Sequence, residues 1–131
     1  MSDDTSPIIL EPTRTAIQVR FSDTDMIGHI NNLSFASFTE VGRQDFFRRL
    51  GTPVPWGVLA HIELDFHAEA VLGDRVEVET FAERIGNTSL TVGHRVLAND
   101  RLVCSCSCVI VFMDLDTRTK LKVPPRWRLP E

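Results

Sequence analysis

The order of its hydrophobic patterns is the feature that most constrains how this chain folds. One helical pattern comes first, with apolar residues and one glycine on a single face: Phe35, Phe38, Val41, Gly42, Phe46 and Leu50. Four strand patterns follow, at residues 62–67, 76–81, 90–96 and 102–113. Short turns join them, and Asn99-Asp100 is typical of a tight hairpin. One long helix before consecutive strands predicts an α+β fold with an antiparallel sheet.

The limits of the helix are also marked in the sequence. Asn31 or Asn32 is a suitable N-cap, because an asparagine side chain accepts hydrogen bonds from the free N–H groups of a first helical turn. Gly51 is typical of the position just beyond a helix. Gly42 lies inside the helix, where glycine is unfavourable, and predicts a close approach to a neighbouring backbone. Before the helix, residues 15–21 alternate in polarity and predict one more strand.

The length of 131 residues predicts one domain that spans residues 1–131. Residues 1 to about 12 are polar and end in a proline, so we expect a loose leader. Residues 117–131 are rich in basic residues and proline, and we expect them to leave the sheet as a tail.

Charge and composition exclude several classes of function. The formal net charge of −4 gives no general attraction to nucleic acid or to an anionic membrane. No apolar run is long enough to span a bilayer, and the first residues lack a signal-peptide pattern. The three cysteines, Cys104, Cys106 and Cys108, alternate along one strand, which indicates packing rather than disulfides and a cytoplasmic location. The histidines lack ligand spacing, so no metal site is predicted.

Two short motifs resemble those of a known family. Residues 20–25, Arg-Phe-Ser-Asp-Thr-Asp, and residues 28–32, Gly-His-Ile-Asn-Asn, resemble the thioesterases of the hotdog fold, and in particular the relatives of hydroxybenzoyl-CoA thioesterase and acyl-ACP thioesterase. The resemblance extends over residues 19–125. It departs at Phe35, where the family usually has tyrosine, and the chain has no tyrosine.

The resemblance implies a fold, an assembly and an activity. The fold would be an antiparallel sheet of about five strands wrapped around one long central helix. Homodimers or homotetramers would form, with active sites at subunit interfaces. The activity would be hydrolysis of an acyl-CoA or acyl-ACP thioester, without a metal or an organic cofactor.

Two residues are the catalytic candidates that the resemblance implies, Asp25 and His29. The Asp25 carboxylate would activate water or attack the thioester itself, whereas an aspartate in a loop otherwise caps a turn. His29 would orient that carboxylate or touch the thioester, or else only fix the loop by hydrogen bonds. For Asp23 we expect a turn-forming or arginine-pairing role.

The candidates for substrate binding are Asn31, Asn32, Phe35 and Glu40. The two asparagines are interpreted first as helix caps, with positioning of the substrate as an additional role for one of them. Glu40 carries the catalytic carboxylate position of some relatives, but here an ion pair with Arg43 or Arg20 is expected. The one basic cluster comprises Arg118, Lys120, Lys122, Arg126 and Arg128. It is interpreted as a solvated tail, and binding of CoA phosphates is the alternative.

Two other functions remain open at this point. The first is a hotdog-fold enoyl-CoA hydratase or dehydratase, which would also use an aspartate and a histidine, although at a different spacing. The second is an acyl-binding module without catalytic activity.

Overall fold

One helix lies against a five-stranded antiparallel sheet in the computed structural model, which describes residues 5–131. The helix is α1 (Asn32–Arg48), and the strands are β1 (Ile8–Ile9), β2 (Thr13–Ile17), β3 (Gly57–Phe66), β4 (Val76–Ile85), β5 (Ser89–Ala98), β6 (Arg101–Phe112) and β7 (Trp127–Arg128). The sheet has the order β2-β4-β5-β6-β3, and all its pairs are antiparallel. The predicted α+β fold with about five strands around one long helix is therefore confirmed.

The strands follow the predicted patterns and extend them. The hairpin between β5 and β6 turns at Asn99 and Asp100, whose φ angles of 51° and 66° place both in the left-handed region. Asparagine and aspartate tolerate that conformation better than most residues, so the predicted tight hairpin is confirmed. The strand predicted at residues 15–21 is wrong at its end, because β2 stops at Ile17 and Phe21 is 82% exposed in a short 3-10 turn.

The buried face of α1 differs from the predicted face, and Leu50 lies beyond the end of the helix at Arg48. The buried residues are Phe35, Phe38, Thr39, Gly42, Arg43 and Phe46. Val41 was expected on this face but is 46% exposed. At about 100° per residue, Val41 lies outside the arc that these residues share. The arc is shifted because two polar side chains, Thr39 and Arg43, are buried and hydrogen-bonded to each other.

Gly42 is the point of closest contact between α1 and the sheet. A Cβ atom built there would lie 2.8 Å from both Thr80 Oγ1 and Val78 Cγ1 on β4. The predicted close approach is real, but it brings the helix against side chains rather than against a neighbouring backbone.

The two ends of the chain pack on each other, which corrects two predictions. β1 pairs in parallel with β7, Leu10 is fully buried and Trp127 is 2% exposed. The prediction of a loose leader is therefore wrong for Ile8–Ile9 and Leu10, and the prediction of a tail is wrong for Trp127. These side chains are hydrophobic, and burying their apolar surface against the core beside Phe47 and Phe112 is favourable. The first four residues of the predicted leader lie outside the described residues.

Within residues 5–131, no helix has the length and apolar character needed to cross a membrane.

Candidate active site

Asp23 holds together the loop that precedes α1. Its carboxylate accepts hydrogen bonds from the backbone N–H of Arg20 at 2.8 Å and from the Arg20 guanidinium at 3.3 Å. Its carbonyl accepts the N–H of Asn31 at 2.8 Å. Burial raises the pKa of Asp23, but hydrogen bonds from Arg20 and Ser34 outweigh burial and bring the pKa below its usual value. The predicted arginine-pairing role is confirmed.

Asp25 closes the tip of the same loop with one carboxylate oxygen. Oδ1 accepts hydrogen bonds from the N–H groups of Ile27 and His29, both at 3.0 Å. The Asp25 N–H also donates to the His29 carbonyl at 2.8 Å. The residue is exposed, and no donor to Oδ2 is found in the described part of the chain. Asp25 therefore caps the turn with one oxygen, and its second oxygen accepts no hydrogen bond from the described residues.

The first turn of α1 begins at Asn31, as predicted. Its Oδ1 accepts the N–H of Leu33 at 2.8 Å, and its carbonyl accepts the N–H of Ser34 at 2.9 Å. These two bonds leave one amide of the first turn, the N–H of Asn32, without a protein acceptor among residues 5–131. Such an amide at the positive end of a helix dipole favours a negatively charged oxygen.

Asp25 and the start of α1 line one cavity of about 510 Å³. Its lining residues are Asp25, His29, Ile30, Asn31, Asn32, Phe35, Phe66, His67, Ala68 and Glu69. We call it the Asp25 cavity. Phe35 is 2% exposed, and its ring centroid lies 6.1 Å from that of Phe66. The cavity thus combines a polar mouth with an aromatic wall, and it contains five of the six predicted site residues.

Two polar residues of the Asp25 cavity were not predicted from the sequence, His67 and Glu69. They follow the end of β3 and reach the loop because the Ile30 N–H donates to the Ala70 carbonyl at 2.8 Å. Glu69 Oε2 lies 3.7 Å from His29 Nε2, and His67 Nε2 lies 2.8 Å from Ser105 Oγ. The backbone of His29 is therefore fixed by the loop, and the exposed Glu69 carboxylate lies near its ring.

Glu40 is the predicted site residue that lies elsewhere. It lines a different cavity of about 220 Å³, and its side chain accepts a hydrogen bond from Gln44 at 3.5 Å. The expected ion pair is wrong, because Arg43 contacts Thr39 and His94 while Arg20 is paired with Asp23. A helical face brings Glu40 and Arg43 near each other, but Arg43 turns inward and Glu40 stays exposed.

The cysteines do not offer a nucleophile. All three are buried and free, and burial raises the pKa of Cys104 to about 12 and that of Cys106 to about 11. These thiols are therefore protonated at neutral pH, when a thiolate would be needed for attack. Among the described residues, no three His, Cys, Asp or Glu side chains are placed to hold a metal ion.

Known proteins resemble this chain over most of its length. The family model described as the thioesterase-like superfamily matches residues 19–128. A thioesterase from Thermus thermophilus, solved with coenzyme A and Zn, is 29% identical with a TM-score of 0.77, over 86% of this chain and 91% of that one. A predicted thioesterase from Bacillus stearothermophilus is 28% identical with a TM-score of 0.79, and the match covers 92% of this chain and 100% of that one. The uncharacterized protein YsmA of Bacillus subtilis (strain 168) is 31% identical over 81 residues, 58% of this chain. The matched part spans about half of YsmA, 54%.

Proposed function

Because the chain belongs to the thioesterase-like superfamily, we propose that it hydrolyses an acyl-CoA thioester in the Asp25 cavity. The predicted resemblance to hotdog-fold thioesterases is confirmed by this family and by the similar solved structures. One observation carries the proposal for this chain. The Asp25 carboxylate and the Asn32 N–H, which has no protein acceptor in the described chain, line the same cavity.

In the proposed reaction Asp25 transfers the proton and the Asn32 N–H stabilises the developing negative charge. The Asp25 carboxylate takes a proton from a water molecule, and the water oxygen attacks the thioester carbonyl carbon. The carbonyl oxygen becomes negative and is stabilised by the Asn32 N–H at the start of α1. The carbon–sulfur bond then breaks, and the leaving thiolate takes the proton from Asp25. Direct attack by the carboxylate would give the same products through an anhydride that water hydrolyses.

The other lining residues position the substrate. His29, whose ring lies 3.7 Å from the Glu69 carboxylate, lies at the polar mouth beside Asp25. Phe35 and Phe66 form the apolar wall. They contact the acyl group through apolar packing without hydrogen bonds, since neither ring carries a hydroxyl. Asn31 fixes the helix start, so its contribution to substrate binding is indirect.

Coenzyme A is the proposed carrier of the acyl group. The similar thioesterase from Thermus thermophilus was solved with coenzyme A, which favours CoA over acyl carrier protein for this chain. No step of the proposed reaction uses a cofactor. The three free cysteines are consistent with a reducing cytoplasmic location, which we include in the proposal.

A homodimer is part of the same proposal. β3 is the last strand of the sheet and pairs only with β6 within the described chain. It is ten residues long, and Leu59 and Phe66 on it are each 47% exposed. A long edge strand with exposed apolar residues is suited to pairing with the same strand of a second copy. Such a partner would also cover the Asp25 cavity at Phe66.

Thiol release from a panel of acyl-CoAs tests the proposed activity. Acetyl-, hexanoyl-, palmitoyl- and benzoyl-CoA are incubated with the full chain, and free CoA is measured with a thiol reagent. We expect turnover of at least one of them. Crotonyl-CoA is added as the control, because loss of its enoyl absorbance without thiol release would indicate a hydratase instead. Calorimetric binding of acyl-CoA without turnover of any thioester would contradict the proposal in favour of an acyl-binding module.

A further inference from the structure

A second cavity lies between the carboxyl-terminal half of α1 and the start of β3. It has a volume of about 220 Å³ and is lined by Glu40, Arg43, Gln44, Phe47, Val54, Pro55, Gly57, Leu59, Ile110 and Phe112. We call it the Arg43 cavity. Its walls are mainly apolar, and three polar side chains are placed among them. Small-molecule sites have this composition, in which apolar walls supply area and a few polar groups fix orientation.

Arg43 is the unusual member of this lining. Its side chain is only 8% exposed, although arginine is almost never buried without a counter-ion. Its Nη1 lies 3.3 Å from Thr39 Oγ1 and 3.3 Å from His94 Nε2, and the Cys108 thiol is a further hydrogen-bonding neighbour. None of these three side chains carries a negative charge, since burial raises the pKa of Cys108. Among residues 5–131, no carboxylate lies within 4.0 Å of its guanidinium. An unpaired buried cation is unfavourable.

His94 holds the guanidinium but does not neutralise it. His94 is 1% exposed, and burial together with the charge of Arg43 lowers its pKa to about 3, so the ring is neutral. Since Arg43 only donates, His94 Nε2 accepts, and Nδ1–H is left to donate to Thr80 Oγ1 at 2.9 Å. The ring therefore hydrogen-bonds the guanidinium without neutralising its positive charge.

Glu40 is the one acidic residue in the lining. It is exposed and bonded to Gln44, and it lies beyond ion-pair distance from Arg43. A solvated carboxylate at the rim is screened by water and compensates a buried charge poorly. Arg43 thus keeps a positive charge that no carboxylate within ion-pair distance neutralises in the described chain.

We propose that the Arg43 cavity is a second binding site, which takes a carboxylate carried on a short apolar body. The carboxylate pairs with the Arg43 guanidinium, and the apolar body packs among Phe47, Leu59 and Phe112. At about 30 Å³ per water molecule, 220 Å³ corresponds to a ligand of roughly seven to ten non-hydrogen atoms.

Two sources can supply that carboxylate. One is a free carboxylic acid. The other is the far end of an acyl group bound at the Asp25 cavity, because Arg43 lies eight residues along α1 from Phe35, about 12 Å at 1.5 Å per residue. The second source rests on the proposed function and makes the substrate a CoA thioester of a dicarboxylic acid.

Calorimetric titration with hexanoate and hexanamide tests the site itself. The two probes have the same body and differ in charge. We expect wild type to bind hexanoate at least roughly tenfold more tightly than hexanamide, as a charge-assisted hydrogen bond implies. Arg43→Met should abolish the difference, whereas the control Arg84→Met, at an exposed arginine on β4, should retain it. Thermal unfolding of each variant establishes that it is folded.

Glu40→Gln should change hexanoate affinity in the opposite direction from Arg43→Met. Removing the like charge at the rim should strengthen hexanoate binding and leave hexanamide binding unchanged. A purely structural role of Arg43 would produce neither change. This variant also keeps the test valid if Arg43→Met does not fold.

Hydrolysis rates distinguish the two sources. Adipoyl-, suberoyl- and sebacoyl-CoA are compared with hexanoyl-, octanoyl- and decanoyl-CoA as kcat/KM in wild type and Arg43→Met. If the acyl group supplies the carboxylate, one dicarboxylic acyl-CoA should be preferred roughly tenfold over the monocarboxylic acyl-CoA of the same length, and Arg43→Met should reverse this preference.

A preference for free hexanoate over hexanamide, without a preference for any dicarboxylic acyl-CoA, would assign the site to a free acid. If neither arm shows a carboxylate preference that depends on Arg43 or Glu40, the inference is overturned. Hydrolysis of the monocarboxylic substrates would still support the proposed function, so the two failures are separable.

Discussion

Two aspartates separated by one residue have different environments in the loop before α1. Asp23 is 3% exposed and its charge is already paired with Arg20, so a lowered pKa keeps it ionised and engaged. Asp25 is exposed at the cavity, and only one of its oxygens is used by the loop. The sequence motif alone favours Asp25 by resemblance. In the structure both carboxylate oxygens of Asp23 already accept hydrogen bonds from Arg20, which supports the proposed role of Asp25 rather than Asp23.

His94 predicts a pH-dependent stability. Its pKa is about 3 in the folded chain against an ordinary value of 6.5, so the unfolded chain binds the proton more tightly. Its stabilising contribution is therefore complete above pH 6.5 and is lost as the pH falls from 6.5 toward 3. The free energy of unfolding changes by at most about 1.4 kcal/mol per pH unit, and the total change is on the order of 5 kcal/mol.

Urea unfolding at a series of pH values checks this prediction. His94→Gln keeps an acceptor for Arg43 and a donor for Thr80 but does not titrate. The free energy of unfolding of wild type should fall more steeply than that of the variant between pH 6.5 and about 4. Parallel curves would show that His94 is not buried in its neutral form.

At the scale of elements, Gly42 sets the distance between α1 and β4. Alanine is favoured over glycine in a helix by about 1 kcal/mol. Gly42→Ala should nevertheless destabilise the fold by about 1–3 kcal/mol, because its Cβ would lie 2.8 Å from Val78 and Thr80 side-chain atoms. Chemical denaturation measures the difference. Ser37→Ala, at an exposed position of α1, is the control and should change stability by less than about 0.5 kcal/mol.

The elements that local pattern determines were predictable from the sequence. The spacing of the apolar residues predicts α1 and the strands β3 to β6. Asn31 indicates where the helix starts, because its side chain accepts a hydrogen bond from the first turn. Val41 was misplaced because a periodic pattern counts apolar residues only, whereas the buried face also contains Arg43. A buried arginine has no local signal, since its partner His94 is distant in the chain.

At the scale of the whole molecule, the core has two parts. One surrounds Phe35 and Phe38 beneath the Asp25 cavity, and the other surrounds Phe46 and Trp127. The second part is completed by both ends of the chain. Its contacts join residues more than a hundred positions apart, so no local pattern predicted them. His67 and Glu69 were missed for the same reason, because only the pairing of distant segments brings them beside Asp25.

Trp127→Ala should therefore destabilise the whole fold. The ring is 2% exposed and its centroid lies 6.3 Å from that of Phe47 and 5.7 Å from that of Phe112. Removing a buried tryptophan costs about 3–5 kcal/mol. Thermal or chemical unfolding measures it, with Trp56→Ala as the matched control, since Trp56 is 39% exposed. An equal loss in both variants would mean that the chain ends do not complete the core.

Thiol release by Asp25→Asn tests the central claim most directly. The asparagine oxygen still accepts the Ile27 and His29 N–H groups, so the loop is kept while the charge and the proton acceptor are lost. With the best acyl-CoA of the panel, kcat should fall by about 10²–10⁴-fold, while KM changes little. Asp116→Asn, at an exposed turn residue, should match wild type. Full activity of a folded Asp25→Asn protein would contradict the proposed role of Asp25 in thioester hydrolysis.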